Sequence, residues 1–193
     1  IDRWTLKRHD QVVCVSQDLF ERCRELGVRA DRLTHVENAI DTEEFRRRAP
    51  RTTGNGPLRV GAVGRLSEEK GVRTLLEAWR QLRDVPLKVV GDGPLLGEMR
   101  SVAEREQLPV EFVGMQPRSV VLDLIGRADL QVIASECFEG FPLVLVESYA
   151  RGTPVIASKI GSLVELVVPG QTGRHFEASN PASLAAEVRR LWE

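Results

Sequence analysis

The sequence predicts an α/β fold built on a doubly wound parallel sheet with helices on both faces. Short apolar runs rich in β-branched residues alternate with longer amphipathic stretches, which is the pattern of βαβ units. Runs such as residues 87–90 contain few polar positions, as expected for strands covered on both sides. The chain has 193 residues, of which 42% are hydrophobic, and this is enough for one α/β domain with a substantial core.

The order of these runs places each predicted element. We predict strands at residues 11–15, 33–36, 58–63, 87–90, 110–113, 130–133 and 155–157. We predict helices at residues 18–26, 69–82, 94–106, 119–127, 142–151 and 181–191. Residues 46–57, rich in Arg, Pro, Thr and Gly, are predicted to form a loop before the main sheet.

Composition excludes several classes of function. Charged residues make up 28% and balance to a net charge of −1, which argues against disorder and gives no electrostatic reason to bind nucleic acid. No apolar run approaches the roughly 20 residues that span a bilayer. The three cysteines, Cys14, Cys23 and Cys137, fit neither a disulfide framework nor a zinc motif. We therefore expect a reducing, cytoplasmic setting.

Glycine-rich and polar loops follow five of the predicted strands. They are Gly64-Arg65, Gly91-Asp92-Gly93, Gly114, residues 135–140 and residues 158–162. In a parallel sheet all carboxyl ends of the strands lie at one edge, which is where open α/β sheets bind ligands. The pattern therefore predicts a binding site at this edge.

Arg65 and Lys70 are the candidate cations of that site. Arg65 follows a strand, and Lys70 lies near the start of the next predicted helix. A cation in a first helical turn opposes the helix dipole, and a bound phosphate would compensate it. The alternative is that Glu68 and Glu69 pair with these cations on a solvated surface, and the segment alone leaves both open.

The segment from Glu139 to Glu147 is the candidate anchor for a sugar nucleotide. Pro142 suits the first position of a helix, and the N–H groups of residues 141–144 could hold an anion. Glu139 and Glu147 are acceptors for sugar hydroxyls, which donate hydrogen bonds. The alternative is a glutamate that caps the helix and another that is solvated on it.

Several motifs together carry a family resemblance. In chain order they are Val63-Gly64-Arg65-Leu66 with Lys70-Gly71, Gly91-Asp92-Gly93-Pro94-Leu95, Phe112-Val113-Gly114, Glu139 to Glu147, Gly152 to Ser158, Glu165, and Gly170-Gln171-Thr172-Gly173. This series resembles the C-terminal domain of the retaining glycosyltransferase family 4, the Rossmann-like half of a GT-B fold. Val15-Ser16, residues 38–41 and Phe45 are similar to the family's crossover into that domain.

The resemblance implies roles for individual residues. Arg65 and Lys70, beside Gly64, would hold the donor diphosphate and, with Glu139, serve catalysis. Glu139 would contact hydroxyls of the transferred sugar, and Glu147 the ribose. The phosphate and sugar cradle would be completed by Gly140 and by the backbone amides of Phe141, Leu143 and Val144. The base would lie near Val113, Met115 and Gln116.

The resemblance also implies an activity and an architecture. The family transfers a hexosyl group from a nucleotide-diphosphate sugar with retention, and it needs no metal or other cofactor. Residues 1–45 would cross from a preceding N-terminal acceptor domain, and residues 58–193 would form the donor domain with a truncated last helix. We expect the isolated chain to be inactive. Peripheral membrane association of the full-length protein stays open, as do a non-catalytic sugar-nucleotide-binding module and a nucleotide-sugar epimerase.

Overall fold

The computed structural model describes residues 3–41 and 59–192. Within them the strands are β1 (Val12–Cys14), β2 (Leu33–His35), β3 (Val60–Val63), β4 (Leu87–Val90), β5 (Val110–Gly114), β6 (Leu130–Ile133), β7 (Val155–Ser158) and β8 (Gly173–Phe176). The α-helices are α1 (Arg3–Leu6), α2 (Gln17–Glu25), α3 (Val72–Trp79), α4 (Leu96–Arg105), α5 (Arg118–Arg127), α6 (Leu143–Ala150), α7 (Leu163–Leu166) and α8 (Pro181–Trp192). Two 3₁₀ turns cover Ala30–Arg32 and Glu68–Lys70. Phe45, the predicted loop at 46–57 and the first residue of the predicted strand 58–63 lie outside the described residues.

Six parallel strands form the main sheet in the order β5-β4-β3-β6-β7-β8. The chain moves outward from β3 to β5, returns through α5 to β6 on the other side of β3, and moves outward again to β8. The order reverses between β3 and β6, and ligands bind in the crevice that such a reversal opens at the carboxyl ends of the strands. The predicted α/β class with a doubly wound parallel sheet is confirmed.

Each face of the sheet has its own core, because alternate residues of a strand point to opposite faces. One face packs under α3, α4 and α8, and its core includes the fully buried Trp79 and Leu184. The Trp79 indole N–H donates to the Val85 carbonyl at 2.8 Å, so its one polar group is satisfied. The other face packs under α6 and α7 around Leu145 and Leu163.

Residues 3–36 form a smaller unit beside the main sheet. Its strands β1 and β2 pair in parallel, with Val12 opposite Leu33, and α2 packs over them. The unit has a separate core of Leu6, Cys14, Cys23, Val28 and Leu33. The predicted strands 11–15 and 33–36 are therefore present but shorter.

Glu165 of α7 joins this unit to the main sheet. Its carboxylate accepts hydrogen bonds from the backbone amides of Gln17 and Asp18, at 3.0 and 3.1 Å. The Ser16 hydroxyl caps α2, because it accepts a hydrogen bond from the Leu19 amide. Together they satisfy donors that the first turn of α2 would otherwise leave open.

The predicted helix at 69–82 is wrong in its first turn and in its length. Residues Glu68–Lys70 form a 3₁₀ turn, Gly71 adopts a left-handed conformation with φ of 64°, and α3 begins only at Val72 and ends at Trp79. A Cβ at Gly71 would lie 1.8 Å from the Ala134 carbonyl oxygen. Close packing against the end of β6 therefore breaks the helical pattern at this glycine.

Three elements escaped the sequence prediction: α1, α7 and the edge strand β8. The strand β8 contains Gly173, Arg174 and His175, which weaken its apolar pattern. Pro142 is also one position off, since it caps α6 and Leu143 is the first helical residue.

Candidate functional site

The turn after β3 is held rigidly against the turn after β4. The Leu66 amide donates to the Asp92 carbonyl, and the Leu95 amide donates to the Leu66 carbonyl, at 2.9 and 3.0 Å. Gly91 has φ of 140°, and a Cβ there would lie 1.9 Å from the Gly64 carbonyl oxygen. This packing fixes the backbone from which Arg65 projects.

Arg65 is exposed and has no hydrogen-bond or ion-pair partner among the described residues. Glu68, one of its predicted alternative partners, instead pairs with Arg73. A hydrogen bond from the Ser67 hydroxyl lowers the pKa of Glu69, and the charges of Arg65 and Lys70 lower it further. The alternative in which Glu68 and Glu69 neutralise Arg65 by direct pairing is therefore not realised.

Lys70 pairs with Glu139 across the switch point of the sheet. The Lys70 Nζ lies 2.5 Å from the Glu139 Oε1, with side-chain exposures of 34% and 14%. The Ser135 hydroxyl donates to the same oxygen, also at 2.5 Å. The sequence prediction missed Ser135, although its position at the carboxyl end of β6 places it in the predicted crevice.

The segment from Phe138 to Phe141 is held on three sides. The Ser162 hydroxyl donates to the Glu139 carbonyl at 2.8 Å. Asn38 donates from Nδ2 to the Phe141 carbonyl at 3.1 Å. The Arg22 guanidinium lies over the Phe138 ring, 3.6 Å from its centre. Arg22 of the smaller unit, Asn38 just after it and Ser162 of the β7–α7 loop thus position the backbone that carries Glu139.

The start of α6 presents free amide groups. Pro142 caps the helix without a side-chain hydrogen bond. Among the described residues, no acceptor takes the backbone N–H groups of Phe141, Leu143 and Val144, whereas Leu145 already bonds to the Pro142 carbonyl. Such amides, together with the positive end of the helix dipole, favour an anion.

Glu147 lies one turn further along α6 and is 7% exposed. Its Oε1 accepts a hydrogen bond from Nη1 of Arg118 at 2.5 Å. Arg118 was not predicted from the sequence. Its signal was a cation in the first turn of a helix that has no acidic residue there, a placement the helix dipole disfavours.

Two cavities open at this edge of the sheet. The first, which we call the α6 cavity, has a volume of about 420 Å³. Its walls come from the ends of β3 and β6, Lys70, Ser135, Glu139 and the start of α6 from Phe141 to Val144. The second, the β5 cavity, has a volume of about 550 Å³ and lies among the turns after β3, β4 and β5. Both include Val63, Gly64 and Arg65, so Arg65 stands at their junction.

The residues predicted for the base occupy the β5 cavity in part. Met115, which is 75% exposed, and Gln116 line it, together with the Gly91-Asp92-Gly93 turn. Gln116 donates from Nε2 to the Val113 carbonyl at 3.3 Å. The structure therefore brings most of the predicted residues to the two cavities, whereas Val113, Gly140 and Glu147 are not among the residues that line them.

In residues 3–41 and 59–192, no group of three or more His, Cys, Asp or Glu side chains is arranged to hold a metal ion. None of the helices in these ranges combines the length and apolar character that crossing a membrane requires.

Solved structures with the same fold define the class. HepE of Anabaena, solved in complex with UDP-glucose, superposes with a TM-score of 0.83 at 25% identity, covering 100% of this chain and 59% of that one. Sucrose-phosphate synthase of Thermosynechococcus elongatus superposes with a TM-score of 0.85 at 26% identity, covering 98% and 51%. These neighbours are glycosyltransferases of the GT-B fold, and this chain has the α/β fold with a parallel sheet that they share.

Sequence comparison supplies the family. The family model described as glycosyl transferases group 1 matches residues 43–193, and the chain belongs to this family. Glycogen synthase of Mycobacterium tuberculosis H37Rv is 34% identical over 200 residues, covering 99% of this chain and 47% of that protein. The amylovoran biosynthesis glycosyltransferase AmsK of Erwinia amylovora is 27% identical over 177 residues, covering 86% and 43%. The chain thus spans about half the length of these relatives.

Proposed function

We propose that this chain is the C-terminal, donor-binding domain of a retaining glycosyltransferase of family 4. Its ligand is a nucleotide-diphosphate sugar that extends through both cavities. The observation that carries the proposal is the junction of the α6 and β5 cavities at Gly64-Arg65, where an exposed arginine has no partner among the described residues. An elongated anion with a diphosphate at its centre fits this arrangement.

The diphosphate is assigned to the junction. Arg65 offers a forked set of donors, and Lys70 adds a compact positive charge. The unpartnered amides of Phe141, Leu143 and Val144 face the same cavity from the start of α6. Charge-assisted hydrogen bonds of this kind are about twice as strong as neutral ones.

The transferred sugar is assigned to the α6 cavity beside Glu139, and the base to the β5 cavity beside Met115 and Gln116. Lys70 and Ser135 both donate to Glu139 in the structure. When a diphosphate competes for Lys70, a Glu139 oxygen becomes available to accept from a sugar hydroxyl. HepE, solved with UDP-glucose, supports a donor of this chemical class.

The catalytic contribution of this domain is electrostatic. In transfer, the bond between the anomeric carbon and the diphosphate oxygen breaks, and its electron pair leaves with the diphosphate. The acceptor hydroxyl oxygen bonds to the same face of the anomeric carbon, and its proton passes to the departing diphosphate. Arg65, Lys70 and the α6 amides stabilise the charge that develops on the diphosphate. A preceding N-terminal domain brings the acceptor, no metal takes part, and the full-length enzyme acts in the cytoplasm. The 193-residue chain is therefore expected to show little or no transfer by itself.

Calorimetric titration of UDP, GDP and ADP tests the assignment. The Arg65→Ala/Lys70→Ala variant is expected to bind the preferred nucleoside diphosphate at least about 100-fold more weakly, because two charge-assisted contacts are lost. Lys88→Ala/Arg189→Ala removes the same residue types away from both cavities and leaves the affinity unchanged. Chelation with EDTA also leaves it unchanged. Equal affinity of the Arg65→Ala/Lys70→Ala variant and the wild type would show that the diphosphate assignment is wrong.

A further inference from the structure

Arg118 occupies a helix position that its charge disfavours. It is the first residue of α5, whose first turn has no acidic residue, so its charge opposes the helix dipole. Its Nη1 donates instead to Oε1 of Glu147 on α6, at 2.5 Å. The position of Arg118 is thus explained by a contact between two helices.

Glu147 depends on that contact. The Glu147 side chain is 9% exposed, whereas that of Arg118 is 53% exposed. A buried carboxylate is costly unless a cation or several donors compensate it. Arg118 is the cation that lies within ion-pair distance of Glu147 among the described residues.

Among the described residues, one oxygen of Glu147 accepts a hydrogen bond. Oε1 accepts from Arg118, and no hydrogen bond to Oε2 forms within the described part of the chain. Oε2 therefore keeps its lone pairs for a donor from outside those residues. Hydroxyl groups are the natural donors to such an oxygen.

Each member of the pair is close along the chain to a residue that lines one of the cavities. Gln116, two residues before Arg118, lines the β5 cavity. Leu143, one turn before Glu147 on the same helix, lines the α6 cavity. In the proposed complex the base lies in the β5 cavity and the diphosphate at the junction, so the part between them, on the side of Gln116 and Arg118, is the ribose.

We propose that Arg118 is a positioning residue for recognition of the donor ribose. It fixes Oε1 of Glu147 so that Oε2 accepts from the 2′- and 3′-hydroxyls. This inference rests on the proposed function, because it needs a nucleoside diphosphate in the cavities. It goes further by assigning the ribose preference to a pair of side chains rather than to Glu147 alone.

The test compares a ribonucleoside diphosphate with its 2′,3′-dideoxy analogue by calorimetric titration, using whichever of UDP, GDP and ADP binds most tightly. The wild type is expected to prefer the ribose form by about 10- to 100-fold, the size of a hydrogen bond to a charged group. Arg118→Met and Glu147→Gln are each expected to reduce this preference to about threefold or less. Arg118→Lys, which restores a cation, recovers part of it.

Three controls separate this role from others. Arg127→Met, at the far end of α5, is expected to leave the ribose preference unchanged. Arg118→Met is expected to leave the affinity for inorganic pyrophosphate unchanged, and an equal loss for pyrophosphate would show that Arg118 binds phosphate instead. Thermal unfolding of each variant identifies any that are misfolded, in which case Arg118→Lys carries the test.

The outcomes distinguish the two proposals. If the wild type binds no nucleoside diphosphate, the proposed function fails and this inference fails with it. If the wild type binds but shows no ribose preference, only the role of the Glu147–Arg118 pair is refuted. A wild-type preference that survives in a folded Arg118→Met variant overturns the assignment of Arg118.

Discussion

The ion pairs at the carboxyl edge of the sheet differ from those on the outer helices. Asp84 and Arg189 form a forked pair with two contacts of 2.6 Å, and both side chains are well exposed, at 53% and 39%. Glu139, by contrast, is 14% exposed and is held by Lys70 and Ser135. The outer pair has better geometry, whereas the edge pair has the less solvated carboxylate.

This difference decides which contacts matter to the folded state. Exposed ion pairs contribute little to the stability of the folded state, because water and salt screen both charges. A largely buried carboxylate has already lost most of its hydration, so removal of its cation leaves an uncompensated charge. A ligand that carries charges of its own can therefore take the place of one partner in an ion pair at this edge.

The largest expected effect is on stability when Lys70 is removed. Lys70→Ala should lower the free energy of unfolding by about 1–3 kcal/mol, because Glu139 then keeps only the Ser135 hydroxyl. Urea denaturation of the ligand-free protein measures this loss. Arg189→Ala is the control and should give a much smaller change. Adding Glu139→Gln to Lys70→Ala should restore part of the stability, and a further loss would contradict this account of the pair.

A smaller effect is expected at Glu165, an edge carboxylate whose partners are backbone amides. Glu165→Ala removes the acceptor for the Gln17 and Asp18 amides and should cost about 1 kcal/mol, the usual size of a helix cap. Hydrogen exchange should show faster exchange at those two amides. Glu177→Ala, which removes an exposed glutamate paired with Lys159 at 3.6 Å, serves as the control. Unchanged protection at residues 17 and 18 would exclude a capping role for Glu165.

The smallest effect on stability concerns the outer pair itself. The Arg189 guanidinium lowers the pKa of Asp84 below the usual value of about 3.9. Because the folded-state pKa is the lower one, this contribution is present above that usual value and is lost as the pH falls through the folded pKa. Carboxyl NMR titration should show Asp84 titrating low in the wild type and near the usual value in Arg189→Ala. Identical titration in both would rule out the pairing in solution.

Most of the fold could be predicted from the sequence, because helices and strands alternate with clear apolar patterns. Leu87–Val90 and Leu130–Ile133 were predicted at the observed bounds, since both strands are apolar and closely bounded. The edge strand Gly173–Phe176 was missed because its Arg174 and His175 do not alternate as a half-buried strand would. The break at Gly71 was missed because it depends on the Ala134 carbonyl, 63 positions later in the chain.

The sequence predicted the site residues whose location follows from the ends of strands. It did not predict the side chains that pair with them. Arg65 and Lys70 stand in loops whose location any parallel sheet dictates. The partners of the glutamates, Ser135 and Arg118, come from other strands and helices, and one sequence does not reveal such contacts. The sequence left the partner of Lys70 open between a phosphate and the neighbouring Glu68 and Glu69, and the structure shows that Lys70 pairs with Glu139.

Gly71 has a consequence for how this family member can change by mutation. A side chain there would collide with the Ala134 carbonyl at the end of β6, so the 3₁₀ turn bearing Lys70 and the strand leading to Ser135 would have to separate. Residue 71 touches no ligand in the proposed complex, yet a saturation library should tolerate almost nothing there. Arg65, which would contact the donor directly, should by contrast accept many substitutions that leave the fold intact. In a library sorted first for folding and then for nucleotide binding, variants at residue 71 should be lost in the first sort. Variants at Arg65 should be lost in the second.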